Sequence, residues 1–417
     1  MAGLYIHIPF CESRCIYCGF YSTTSLKLRD AYVDALCGEM QLRPVQAELV
    51  NEDRIETIYL GGGTPSQLSG EQLIRLFHSI EGYVSSEEQS VKSKKQSMKS
   101  EEFCSDENKK ICDGKIFDEK VFDGMEVTME CNPDDITEEY CQTLQQLPIN
   151  RISMGAQTFS DERLRFLHRR HTAQEVEQAV ARLRNIGIKN ISIDLMFGFP
   201  GETIAQWEND IDEAIHLDVD HISAYSLMYE EGTALHRLLE AGKISEIDEE
   251  TSRRMYDTLI QKLTLAGYEH YEISNFARPG RRSRHNSSYW HETPYIGLGA
   301  AAHSYRRMPQ HYERSWNCAD LPTYIESIGR GKRPYEYESL DLQTRYNDLI
   351  TTALRTSDGI DIELVGQEFG EEYKQQLLAD AQTHILRGVV KVKGKHLSLT
   401  HKGLYISDDV MSDFIIV

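Results

Sequence analysis

What the chain lacks narrows its function before any motif is read. Basic residues are few: 45 Lys and Arg stand against 66 Asp and Glu, a formal charge of −21 over 417 residues. That balance repels phosphate backbones and supplies no basic stripe, so nucleic acid is not expected as a partner and tRNA-modifying chemistry is disfavoured. Long apolar runs are missing as well. Stretches such as ISIDLMFGFP fall far short of the roughly 20 residues that a membrane span needs. No basic segment of a secretion signal precedes LYIHIPF, and the expected compartment is the cytoplasm. A disulfide framework is not indicated either: the nine cysteines form an odd set with one tight cluster, Cys11, Cys15 and Cys18, which suits a reducing compartment and a metal cluster. The 40% apolar content is enough for a large core, and the length suggests two or three domains.

A fourth cysteine is the most informative absence. The stretch LYIHIPFCESRCIYCGF, residues 4–20, follows an apolar strand-like run with a CxxxCxxC loop and then places Phe20 where another thiol would be useful. A [4Fe–4S] cluster normally takes four thiolates, so three leave one iron open to an exogenous ligand. Zinc would require a further Cys or His. His7 lies within the strand, where alternation leaves its direction open.

Short β-rich runs, LYIHIPF, IETIYLGG, EVTMECNP, RISMGAQ, NISIDLMFG and HISAYSLMY, alternate with segments of helical period such as GEQLIRLFHSI and AQEVEQAVARLRNIG. This rhythm predicts an α/β fold with a parallel sheet, open or curled into a barrel, whose ligands gather at the carboxyl ends of the strands. Each predicted strand ends on a polar, reactive or glycine signal: the cysteine loop, GGGTP, Glu130, Gln157, Asp194, and Tyr225 with Ser226. The segment 85–120, rich in Ser, Lys and Glu, reads as a disordered insertion, with Cys104 and Cys112 as spectator thiols. Domains are expected over 1–232, 233–335 and 336–417, the last helical and winged-helix-like.

The cysteine spacing together with GGGTP resembles the radical S-adenosylmethionine superfamily. ECNPDD, NRISMGAQTF, RRH, DLMFGFPGET, YSLMYEEGT, YEISNFARPG and RHNSSYW narrow the resemblance to the branch that contains oxygen-independent coproporphyrinogen III oxidase and the HemW-type haem chaperones. It implies a partial (β/α)6 barrel and a [4Fe–4S] cluster held by Cys11, Cys15 and Cys18. S-adenosylmethionine would chelate the open iron, lined by Tyr5, Tyr17, Gly62, Gly63, Thr64, Glu130, Gln157, Arg169, Asp194 and Ser226. Carboxylates suit ribose hydroxyls or an ammonium group, and Arg169 suits a carboxylate. His285 in RHNSSYW is the candidate axial ligand for haem iron; His303 in GAAAHS ranks below it as a residue packing the barrel mouth. In the oxidase pattern a fourth cysteine follows the third by two residues, where this chain has Phe20, and a long N-terminal extension covers substrate, whereas here the first strand begins near Leu4. Both differences favour a haem chaperone that hands haem to an acceptor protein, membrane-associated acceptors included, over an enzyme that decarboxylates coproporphyrinogen III.

Overall fold

The computed structural model describes residues 1–50, 53–95, 116–308 and 311–417. Six strands, β1 (Ala2–Ile8), β2 (Ile55–Gly62), β3 (Glu126–Cys131), β4 (Arg151–Gln157), β5 (Asn190–Phe197) and β6 (His221–Ser226), pair in sequence order and in parallel. Helices link them, as the alternation predicts.

Strands in a parallel sheet covered on both faces are usually apolar throughout. These alternate. Leu4, Ile6, Ile8, Ile58, Leu60, Val127, Met129, Ile152, Met154, Ile191 and Ile193 are buried under the helical layer, while Tyr5, His7, Thr57, Tyr59, Glu130, Ser153 and Asp194 occupy the opposite register positions. The period of two therefore sorts each strand into a core side and a polar lumen side. Each fully buried aliphatic side chain contributes about 2 kcal/mol. The covering helices repeat the logic: in Ala173–Asn185, Val176, Ala179, Val180 and Leu183 are buried at helical spacing, and a capping box between Thr172 and Glu175 starts the helix.

The sheet does not stop at six strands. At the β6 side it continues antiparallel through β7 (Glu269–Glu272) and β8 (Asn275–Ala277), in the order β6-β8-β7. At the β1 side, β9 (Tyr295–Leu298) joins β1 in parallel, followed by antiparallel β10 (His303–Arg307), β11 (Tyr312–Asn317) and β12 (Tyr335–Leu340). The result is a 12-stranded sheet with β12 as its outer edge, where Tyr335 and Tyr337 are exposed. The β/α alternation ends after β6, and strands from residues 269–340 extend the same sheet on both sides.

The buried carboxylate of Glu39, on the helix Arg29–Leu42, fastens this extension to the barrel. It accepts from Arg43, the Gly299 amide, Asn317 and the Tyr324 hydroxyl, at 2.6–2.8 Å. The C-terminal part has its own core, around Tyr346, Ile350, Val365, Leu377, Leu397 and Phe414. Its small antiparallel sheet joins β13 (Ile360–Asp361), β14 (Val390–Lys393) and β15 (His396–Leu399) in the order β13-β15-β14.

The insertion read over 85–120 is narrower than expected. The helix Gly70–Lys95 carries the chain past its predicted start. At the far end, Phe117 and Phe122 are buried, packing their rings edge-on against Phe77. Two phenylalanines in a charged stretch found the core that a composition average conceals. The rest of that expected insertion, with Cys104 and Cys112, lies outside the described residues. Among the described residues no helix is long and apolar enough to cross a membrane.

Candidate functional site

The cysteine loop leaves β1 at Pro9 and is tied back at both ends: the Cys11 amide donates to Thr23 O and the Thr23 amide to Pro9 O. This closure brings the three thiols, all partly buried, to the carboxyl ends of β1 and β2. Thr64, in the GGGTP turn, donates its hydroxyl to Cys11 Sγ at 3.5 Å, and Arg169 donates an amino group to Cys15 Sγ at 3.6 Å. Burial pushes the Cys11 and Cys18 thiols up, and the adjacent Cys15 adds to the rise in both. Three thiols on one loop, two of them met by a hydrogen-bond donor, are of the donor type that a cationic iron–sulfur cluster takes. His7 does not join them: its Nδ1 pairs with the Tyr5 hydroxyl at 2.9 Å and its Nε2 with Tyr21 O at 3.1 Å.

Beside the thiols, the glycine turn opens a cradle. Gly62 has φ +111°, and a side chain there would collide with the His7 imidazole. A Cβ on Gly61 would fall 2.7 Å from the Tyr59 ring and 2.9 Å from the Glu130 carboxylate, and one on Gly63 would meet the Ile8 and Pro9 backbone. Only glycine permits this approach. Glu130 accepts from the Tyr59 hydroxyl at 2.7 Å and from the Gly62 amide at 3.1 Å. Burial, aided by Asp194, raises it to about 7 against the pull of those two bonds; burial likewise raises Asp194 to about 6. Across the lumen, Arg169 donates to Asn132 Oδ1 and Gly155 O at 2.8 and 2.7 Å, and its buried Nε has no partner among the described residues. Gln157 takes the left-handed φ of +67° at the end of β4, a conformation that costs a non-glycine residue on the order of 1 kcal/mol. A polar cavity wall with paired carboxylates, an arginine with an open donor and a glycine floor fits a zwitterionic amino-acid cofactor.

Thus Tyr5, Glu130, Gln157, Arg169, Asp194 and the glycine turn face one lumen. Tyr17 lies in the cysteine loop beside Arg169 and packs against the cluster of Ile16, Leu167 and Leu235. Ser226, at the tip of β6, sits over Gly198. Phe20 is 71% exposed beyond the last thiol. Sequence reasoning passed over Tyr59 and Asn132. The signal for Tyr59 was the alternation Thr57, Tyr59, Gly61 toward the lumen.

The chain matches the radical SAM superfamily model over residues 5–214 and the HemN C-terminal domain model over 340–406. This chain belongs to the radical SAM superfamily, in its HemN/HemW branch. Among its relatives is a protein of Bacillus subtilis named "Heme chaperone HemW", 31% identical over 100% of this chain and 99% of that one. The Escherichia coli protein of the same name is 31% identical over 72% of this chain and 69% of that one. A zebrafish relative, "Radical S-adenosyl methionine domain-containing protein 1, mitochondrial", is 30% identical over 86% and 74%. Among solved structures, E. coli coproporphyrinogen III oxidase (HemN) superposes with a TM-score of 0.77 over 99% of this chain and 90% of that one, at 20% identity, which shows a shared fold.

Within this radical SAM fold, His285 occupies a position its sequence did not suggest. The short helix Arg284–Tyr289 packs against β1 and β2 near their amino ends, opposite the cysteine mouth. The imidazole is fully buried; Nδ1 pairs with the Thr57 hydroxyl at 2.8 Å and Nε2 with the Tyr289 hydroxyl at 2.9 Å. The axial role expected of it meets a buried ring whose two nitrogens are both engaged in hydrogen bonds. His303 differs in the other sense: it is exposed on β10, stacked on Trp316 at 5.9 Å, instead of packed into the mouth.

Proposed function

We propose that this protein is a haem chaperone, which binds haem and passes it to an acceptor protein in the cytoplasm or at a membrane. It would carry a [4Fe–4S] cluster on Cys11, Cys15 and Cys18, with S-adenosylmethionine on the open iron. The observation that carries the choice over porphyrinogen decarboxylation is Phe20, exposed where the oxidase pattern has its fourth cysteine; the full-length similarity to proteins named heme chaperone HemW supports it.

In this reading Thr64 and Arg169 hold the cysteine sulfurs by hydrogen bonds, and the Gly62–Thr64 turn offers backbone to the methionyl end. Glu130 and Asp194 supply carboxylates to an ammonium or ribose, Arg169 directs its spare donor to a carboxylate, and Tyr5, Tyr17, Gln157 and Ser226 line the remainder. The cluster and cofactor together would supply one-electron reducing chemistry. His285 reaches haem iron only if Thr57 or Tyr289 releases its ring; His303 needs no such step.

The test is an anaerobic haem titration run beside a decarboxylation assay. Stoichiometric haem binding without conversion of coproporphyrinogen III, in the presence of S-adenosylmethionine and a reductant, is the expected result. Measurable decarboxylation without haem affinity would assign the chain to the oxidase. A Soret band lost in His303→Ala but kept in His285→Ala, or the reverse, identifies the ligand.

A further inference from the structure

Two hydrogen-bonded rails run up the lumen from its floor. One leads from Tyr59 through its hydroxyl to Glu130 and on to the Gly62 amide, at 2.7 and 3.1 Å. The other leads from the Tyr5 hydroxyl to His7 Nδ1, and from His7 Nε2 to Tyr21 O in the segment that leaves the cysteine loop, at 2.9 and 3.1 Å. The first ends at the glycine turn and the second beside the cluster loop. Both start on the same ring: His285 stacks on Tyr59 at 5.1 Å and 25°, and on Tyr5 at 6.5 Å and 29°.

His285 is itself held from several directions. Its two nitrogens engage Thr57 and Tyr289, and the Glu126 carboxylate accepts from the Arg284 and His285 amides at 3.1 and 3.0 Å, fixing the helix start. Tyr289 in turn packs edge-on against Tyr295 of β9 at 4.8 Å. A neutral aromatic plate locked in this way fixes the tilt of both tyrosine rings and so the positions of the hydroxyls that orient Glu130 and His7.

We infer that His285 is a positioning residue for S-adenosylmethionine: through the stacked rings of Tyr59 and Tyr5 it sets the Glu130 carboxylate and the exit of the cysteine loop, without touching the cofactor. The inference rests on the reading of the Glu130 lumen as the cofactor site. It predicts that removing the plate weakens cofactor binding while the three thiols still hold iron. Supporting residues one layer behind a bound group typically change affinity by on the order of tenfold when removed.

The experiment uses the full-length protein with its cluster reconstituted anaerobically, titrated with S-adenosylmethionine by calorimetry and by the change in the reduced cluster's electron paramagnetic resonance signal. Iron content is measured in every sample. His285→Ala is expected to lose about tenfold in affinity with iron unchanged. His285→Phe, which keeps the stack and loses both side-chain bonds, should recover part of that loss, an outcome that general loosening of the barrel would not give. Should His285→Ala fail to fold, Tyr59→Phe keeps the plate and cuts the first rail at the Glu130 bond, and a comparable loss is expected from it. Wild-type affinity in His285→Ala, or in Tyr59→Phe, overturns the inference. A wild-type protein with a full complement of iron and no response to S-adenosylmethionine overturns instead the reading of the site on which it rests.

Discussion

One amino group of Arg169 lies 3.6 Å from Cys15 Sγ, and the other is held between Asn132 Oδ1 and Gly155 O. A fixed cation and N–H donor on a ligand sulfur stabilises added negative charge, and in a partly buried site that effect is only weakly screened, so it favours the reduced state of a cluster held there. Arg169→Leu should therefore shift the cluster's reduction potential to more negative values, by tens of millivolts, with iron retained. Protein-film or dye-mediated titration checks this, and an unchanged potential would separate Arg169 from the cluster.

The three thiols stand apart from the other cysteines. Replacing Cys11, Cys15 or Cys18 with Ala should abolish the broad visible absorption of the reconstituted cluster, whereas Cys37→Ala and Cys131→Ala, whose side chains pack in the apolar core, should keep it. Equal iron loss from Cys131→Ala would refute the ligand set.

Glu130 sets a pH dependence. Burial raises its carboxyl to about 7, so in the free protein it is largely protonated at pH 6 and ionised above pH 8. If it meets the cofactor's ammonium, binding selects the ionised form, and affinity should rise between pH 6 and 8 and then level off. Glu130→Gln should bind more weakly and flatten the profile in calorimetric titrations across that range. A wild-type profile that falls with pH would exclude the ammonium contact.

Glu39 carries the join between barrel and extension. Its carboxylate is fully buried and serves four donors, and its loss would leave the Gly299, Asn317 and Tyr324 donors without it and Arg43 with Glu48 as its remaining carboxylate. Glu39→Ala should destabilise the protein by about 3–5 kcal/mol, seen as a lower denaturation midpoint in urea. A change below about 1 kcal/mol would show that water or Glu48 replaces it.

Much of the lumen was legible in the sequence because strand period and strand-end chemistry are local. Cys11, Gly62, Glu130, Gln157 and Asp194 could be placed by counting alternate residues to the end of each apolar run. The extension was not legible for the opposite reason. β9 is four residues, YIGL, with a glycine inside, and it pairs with β1 from almost 300 positions away; nothing near it announces that partner. The surroundings of His285 were hidden for a similar reason. RHNSSYW shows which groups are available, but only the docking of its helix under β1 and β2 reveals that the imidazole is enclosed. At the insertion, averaging over charged residues hid Phe117 and Phe122, each of which has a specific aromatic neighbour.

The outer strand β12 ends the 12-stranded sheet with an open row of backbone groups. Open rows invite a second molecule to add its own strand and extend the sheet without limit. In β12 the order is Tyr335, Glu336, Tyr337, Glu338. Two copies laid antiparallel about Tyr337 would set Glu336 of each against Glu338 of the other, twice over, at the close spacing where like charges repel. Shifting the pairing by two residues in either direction still leaves one acid facing its own copy, Glu336 or Glu338. The aromatic pair thus lends the edge its strand character while the alternating acids keep identical edges apart, so that self-templated fibre growth is opposed by the same short stretch that closes the sheet.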